Sequence, residues 1–266
     1  MKSTLIRIFV KILLYIGQHR AKNLLWGFLA KVMRQSYKNG GEGEDYLLKI
    51  LSDKKILCLV DVGAHIGMWS RMAAQYFPES KIYAIEAIQK YFDKIDKSCV
   101  YIKFNIALSN KEETLQIFQT GGGCKAAAKI TKGIKTIIHD VKALSGEKFV
   151  EENNIKVEEN NIIKIDFIKI DTDGYDFQIL SGFRKVIDRD LPLVQFELSH
   201  WWLKLGYTIK LAEIFFSKRQ YTLFIMKDDG LYSLEYQIPD HLFITANILA
   251  IHNSKFHLIE SAICSS

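Results

Sequence analysis

Apolar positions along this 266-residue chain switch repeatedly between a strand period and a helix period. Ile56 to Val62 is a nearly continuous apolar run broken by Asp61, the pattern of a strand buried on both faces of a parallel sheet. Helical spacing follows over 67–76, then a strand over 81–86, a helix over 89–97 and a strand over 100–107. The pattern resumes with a strand at 165–171, a helix at 177–186 and a strand at 193–198, and Ala212–Lys218 reads as another helix. Two late runs, 221–227 and 231–236, flank Asp228-Asp229-Gly230, a hairpin signal. This alternation predicts an α/β fold: a doubly wound, mostly parallel Rossmann-like sheet with a C-terminal antiparallel hairpin and N-terminal helices. Between residues 109 and 162 the alternation fails. There Glu113–Gln119 has strand period, Gly121–Gly123 breaks the chain and Ala143–Glu152 reads as a helix, so an insertion or cap beside a pocket is expected.

The chemistry concentrates where the first strand ends. Val60 to Ser70 runs from an apolar strand through Asp61 and a glycine turn into a helix, the local construction of a nucleotide-type pocket. Gly63 has no Cβ to keep a ligand from the backbone, and Gly67 lets the helix pack tightly on the strand. Ala64 stands where a dinucleotide fingerprint has the glycine that receives a pyrophosphate. The second strand ends in Glu86, followed by Ala87, about 20 residues beyond the turn, where a carboxylate can accept both hydroxyls of a ribose. A cofactor with a ribose and no pyrophosphate is therefore indicated. Asp61 either caps the turn or reaches a cofactor ammonium group, and His65 is expected to hydrogen-bond the loop.

Asp171-Thr172-Asp173-Gly174 follows the fourth strand, at the carboxyl end where open α/β sheets place ligand-facing residues. Glu197 and His200 end the fifth strand and, with Asp171, outline an oxygen-rich pocket. A divalent cation there would lower the pKa of an acceptor hydroxyl, but the spacing is not diagnostic. No residue is assigned as a metal ligand, and the cation is not favoured. His200 is the alternative base, its ordinary pKa suiting proton removal near neutrality.

These residues carry a resemblance. The stretches VDVGAHIGMWS, IYAIEA, NIALSN, FIKIDTDGYDFQILSGFRK and PLVQFELS, spread in order over residues 56–199, resemble the FkbM family of S-adenosylmethionine-dependent methyltransferases. His65 stands where that family usually has Asn, and DTDGYD replaces a commoner Asp-Val-Glu-Gly-(Ala/Tyr)-Glu. The resemblance implies a class I methyltransferase domain over 42–266, with S-adenosylmethionine as cofactor. It implies that Asn105 to Ser109, Asn105 and Ala107 among them, lie near the adenine and that Asp171 and Asp173 face the cofactor and the acceptor hydroxyl. The acceptor it implies is a small molecule or glycan, methylated on a hydroxyl of a sugar, polysaccharide or related bacterial metabolite. A nicotinamide-dependent oxidoreductase would share the strand, turn and ribose acid. It would want the missing glycine and a Tyr/Lys or His constellation, which the chain does not display. A non-catalytic membrane-associated binding domain would leave the Asp171–Asp173 segment without a role.

Composition changes this picture in one place. Of 36 basic residues, eight fall in residues 1–41, which hold no acid, leaving 28 to face all 30 acids of the remaining chain. A basic nucleic-acid groove across the domain is thereby disfavoured. The segment is amphipathic, with Arg7, Lys11, Gln18 and Lys22 on one strip against a wide apolar surface, and its apolar stretch is too short to span a bilayer. Packing on the domain, a homo-oligomer contact, or peripheral attachment of residues 1–38 to the inner face of a membrane are the readings it allows. Cys58 in a predicted core strand and the lack of Cys-x-x-Cys spacing favour reduced thiols and a cytoplasmic location.

Overall fold

In a computed structural model of the chain, the apolar run around the first glycine turn becomes strand β1 (Cys58–Val62), buried at every position. The structure describes residues 43–96, 101–120, 123–126, 137–155, 164–199, 201–202, 205–234 and 246–264. The amphipathic segment expected over residues 1–41 lies outside them, and so does His200. Helix α1 (Glu44–Leu51) precedes β1, and α2 (Met68–Tyr76), β2 (Lys81–Ile85), the one-turn α3 (Gln89–Phe92) and β3 (Tyr101–Phe104) follow it. Four strands come next: β4 (Ala107–Ser109), β5 (Glu113–Thr120), β6 (Gly123–Ala126) and β7 (Ile137–Ser145). After α4 (Gly146–Glu152), β8 (Phe167–Ile170), α5 (Asp176–Gly182), α6 (Arg184–Asp190) and β9 (Leu193–Leu198) restore the alternation. Helix α7 (Ile209–Ser217) leads into β10 (Tyr221–Lys227), β11 (Gly230–Ser233), β12 (Ala246–His252) and β13 (Ile263–Cys264).

The main sheet has nine strands in the order β13-β11-β10-β12-β9-β8-β1-β2-β3. Strands β3, β2, β1, β8 and β9 are parallel, and β12 and β10 are antiparallel to their neighbours. The chain passes from β1 to β2 on one side and later returns to β8 on the other, so the strand order reverses at β1. Open α/β sheets bind ligands in the crevice that such a reversal leaves at the carboxyl ends of the strands. One face packs Leu59, Ile82, Phe167, Leu193 and Leu249 against Leu47 and Leu51 of α1 and Trp69 and Ala73 of α2. On the opposite face Phe196 stacks between Trp202 at 5.6 Å and Phe216 of α7 at 5.7 Å. The α/β, doubly wound reading thus holds. Among the described residues no helix is long and apolar enough to cross a membrane.

Several local expectations change. The strand expected over 100–107 divides between two sheets, because β3 pairs with β2 while β4 joins a separate four-stranded sheet in the order β4-β7-β5-β6. Ala143 to Ser145, expected as helix, end β7 by pairing with Ala107 to Ser109, and the helix starts only at Gly146. Ser145 is its N-cap, its side chain accepting from the Lys148 N–H at 3.2 Å, and such a cap fixes the start of a helix. The helix expected over 89–97 keeps one turn. The helix expected over 177–186 breaks at Phe183, which closes α5 and opens α6. Strand β12, an apolar run assigned to no element from the sequence, wedges between β9 and β10 and separates the expected hairpin from the parallel strands.

Gly182 ends α5 against the small sheet, and a Cβ there would lie 2.0 Å from the Ser109 carbonyl oxygen. Gly182→Ala must push the helix off β4, and overpacking of this kind costs about 1–3 kcal/mol. We expect a lower denaturant midpoint at unchanged slope; an unshifted midpoint would show that the two sheets yield to each other freely.

Candidate active site

The reversal point is closed by backbone contact. Gly63 sits at φ +83°, and a Cβ on it would lie 1.9 Å from the Asp171 carbonyl oxygen, so its missing side chain first serves the approach of the protein's own chain. The Gly63 and Ala64 N–H groups both donate to the Ile85 carbonyl, at 2.9 and 3.0 Å, and the Asp171 N–H donates to Val62 at 2.9 Å. His65 follows at φ +53°, with its ring 4.1 Å from the Tyr91 ring.

Glu86 is the acid of this turn. Its Oε2 accepts the His65 N–H at 2.8 Å and its Oε1 the Ile88 N–H at 2.7 Å. A carboxylate oxygen can accept twice, so capacity for one further donor on each oxygen remains. Burial pushes the Glu86 carboxyl up to about 7, against the pull of those two N–H groups. Asn105 braces the same loop, its Nδ2 donating to the carbonyls of Glu86 at 2.9 Å and Ala87 at 3.2 Å.

A second polar group lies beneath the turn, on the face of the sheet covered by α1 and α2. Asp61 is wholly buried; Ser70 Oγ of α2 donates to its Oδ2 at 2.6 Å, and Lys169 Nζ lies 3.5 Å from its Oδ1. Lys169 is only 4% exposed and also pairs with Asp171 Oδ2 at 3.3 Å. Burial acts to lower the Lys169 pKa, but Asp61, Asp171 and Glu44 together outweigh it and raise it. The register explains the meeting, since Asp61 pairs with Lys169 and Lys169 with Gln195, so the three project from one face in a row. Gln195 donates onward to Glu44 at 2.6 Å. Asp176, also wholly buried, accepts from the Gly174 N–H at 3.1 Å and from Thr172 at 3.3 Å. Burial, then the nearby Asp171, pushes it up to about 7.

The small sheet supplies the far wall of the cleft. Ala107, Leu108, Leu115 and Ile117 line it, opposite Gly63, Glu86 and Asp171. Tyr175, also in the lining, has its hydroxyl 3.1 Å from Ser109 Oγ, which donates to Glu113 at 2.6 Å. The described strands of the stretch 109–162, β5, β6 and β7, join β4 in this sheet.

Of the residues singled out from the sequence, Gly63, His65, Glu86, Ala87, Ala107, Asp171 and Asp173 line one cleft. Asp61 and Ala64 lie buried behind it, Asn105 braces it from outside, and Gly67 opens α2 at φ +79°. Glu197 lies in β9, paired with Asn247 of β12, and is not among the residues lining the cleft. Among the described residues no three His, Cys, Asp or Glu side chains gather as metal ligands. Sequence reading missed Lys169, Tyr175 and Asp176. The legible signal for the first was a lone charge inside the buried run Phe167-Ile168-Lys169-Ile170.

Glu86 and Asp176 both titrate in the folded protein well above their ordinary values. Their protonated forms stabilise the fold, a contribution complete below the unfolded pKa and lost as pH rises through about 7. Glu86→Gln removes one such titration. The stability difference between Glu86→Gln and the parent should therefore move in favour of the variant from about pH 5 to about pH 8; a pH-independent difference in melting temperature would contradict the assignment.

A family model described as the methyltransferase FkbM domain matches residues 61–224. No curated protein matches the chain. Solved structures similar to it include methyltransferase FkbM from Methylobacillus flagellatus KT, at 12% identity and TM-score 0.49, covering 81% of this chain and 50% of that one. Precorrin-6y C5,15-methyltransferase from Geobacter metallireducens GS-15 is similar at 13% identity and TM-score 0.44, covering 79% of this chain and 87% of that one. The O-methyltransferase TomG from Streptomyces achromogenes is similar at 8% identity and TM-score 0.44, covering 79% and 78%. The chain spans about half the length of the first of these.

Proposed function

Because the chain belongs to the FkbM methyltransferase domain family, we propose that it binds S-adenosylmethionine in this cleft and transfers the methyl group to a hydroxyl of a sugar, polysaccharide or related bacterial metabolite. Membership in a methyltransferase family sets aside the nicotinamide oxidoreductase reading. The observation that carries the proposal is Glu86, a buried carboxylate with one backbone N–H on each oxygen and room for one donor more on each. That capacity suits the two hydroxyls of a ribose. The residues present fit the rest of the cofactor: an apolar slot beside Ala107, Leu108 and Ile88 suits a purine, and Asp171 gives an anion near the turn.

The bound cofactor would supply an electrophilic methyl on a sulfonium. What the chain does is hold: methyl transfer is an in-line displacement, and alignment of the two reactants accounts for most of its acceleration. Asp173, in the cleft lining on a loop at φ +54°, is the group assigned to orient the acceptor hydroxyl.

Calorimetry should show S-adenosylmethionine binding with micromolar affinity, and Glu86→Ala should weaken it by about 1–3 kcal/mol, the cost of unpaired hydroxyls. Because the ionised carboxyl is the better acceptor, affinity should rise as pH rises through about 7 and stay level in Glu86→Gln. Tight NADH binding without response to S-adenosylmethionine would overturn the reading. Incubation with methyl-labelled S-adenosylmethionine and cell-envelope glycan fractions should place the label in alkali-stable methyl ethers; label on nitrogen or carbon would refute the hydroxyl acceptor.

A further inference from the structure

The pair of carboxylates held by Lys169 is asymmetric. Asp61 has no exposure at all, and its oxygens meet Ser70 and the ammonium. The Asp171 side chain is 43% exposed, lines the cleft and meets the same ammonium through Oδ2. Its backbone is fixed as well, because its carbonyl presses on Gly63 and its N–H bonds Val62. One buried cation thus draws one carboxylate into the core and pins the other at the wall beside the turn. A sulfonium amino-acid cofactor carries two positive groups and one carboxylate, and its α-ammonium needs an anion that is fixed and open to the cleft. Asp61 fails the second condition and Asp171 meets both.

We propose that Lys169 is a positioning residue that sorts the two carboxylates, withdrawing Asp61 from the ligand and holding Asp171 as the anchor of the cofactor's α-ammonium group. This rests on the cofactor reading above. It assigns to Asp171 the contact that the sequence alone offered to Asp61.

Two probes separate anchoring from general integrity. S-adenosylhomocysteine carries the amino-acid tail, whereas methylthioadenosine carries the nucleoside and no tail, so a lost ammonium anchor weakens the first and spares the second. By calorimetry, Asp171→Asn should lower S-adenosylhomocysteine affinity about ten- to a hundredfold, as expected when a hydrogen bond to a charged group is lost. Methylthioadenosine affinity should stay within about twofold. Lys169→Met should show the same split. Should it fail to fold with Asp61 left unpaired, the double variant Asp61→Asn with Lys169→Met removes both buried charges and should still show the split. Wild-type affinity for S-adenosylhomocysteine in the folded double variant would mean that Lys169 merely neutralises Asp61, and would overturn the proposal. Equal losses for both probes in Asp171→Asn would also overturn it. A parent protein that binds neither probe would instead refute the cofactor reading itself.

Discussion

An ammonium group buried between two strands is costly to desolvate, by several kcal/mol even after the protein relaxes, and it persists only where carboxylates surround it. Lys169 is in that position, and what surrounds it determines the geometry of the cleft. Asp61 comes from β1 and Asp171 from the end of β8, so the ion group ties together the two strands between which the sheet order reverses. The crevice of an open sheet is a place where parallel strands diverge into different loops. Here the loops are kept together by charge beneath and by the Gly63–Asp171 backbone contact above. The Ser70 hydroxyl extends the tie into α2, so the helix that follows the turn is fixed to the same group.

The second sheet closes the cleft by a different means. Its contribution to the lining is apolar, from Ala107, Leu108, Leu115 and Ile117. Ser109, fully buried, is shared between Tyr175 of the β8 loop and Glu113 of β5. Gly182 adds the close contact between α5 and the Ser109 backbone. The wall facing Glu86 and the loop carrying Asp171 and Asp173 are therefore joined at one residue.

What the sequence made legible was local. The continuous apolar run of β1, the glycine turn and the distance to Glu86 depend on residues near one another in the chain, and all stand in the structure where the pattern put them. The residues that escaped depend on register. Lys169 meets Asp61 only because β8 lies beside β1 with those two positions paired, a fact of strand order that periodicity does not contain. Tyr175 is tied down by Ser109, from another sheet, for the same reason. The split of the helix expected over 177–186 likewise follows from a neighbour, since Gly182 must meet the Ser109 carbonyl. Strand β12 is an apolar run that the periodicity left unassigned, and its place depends on pairing with both β9 and β10.

The electrostatics of the cleft then follow from composition at the strand ends. Glu86, Asp171 and Asp173 line it, Asp176 is wholly buried beneath the Thr172–Gly174 loop, and burial pushes Glu86 and Asp176 up to about 7. At neutral pH each of these two is therefore divided between its acid and its carboxylate form. A ligand with net positive charge favours the carboxylate form, and linkage requires the converse, that the carboxylate form favours the ligand. The cost of burying Glu86 is thus tied to binding: the charge that burial disfavours is the charge a cationic ligand stabilises. A neutral ligand of the same shape would forgo that coupling, which makes the protonation of Glu86 part of how the cleft distinguishes a sulfonium from its uncharged analogues.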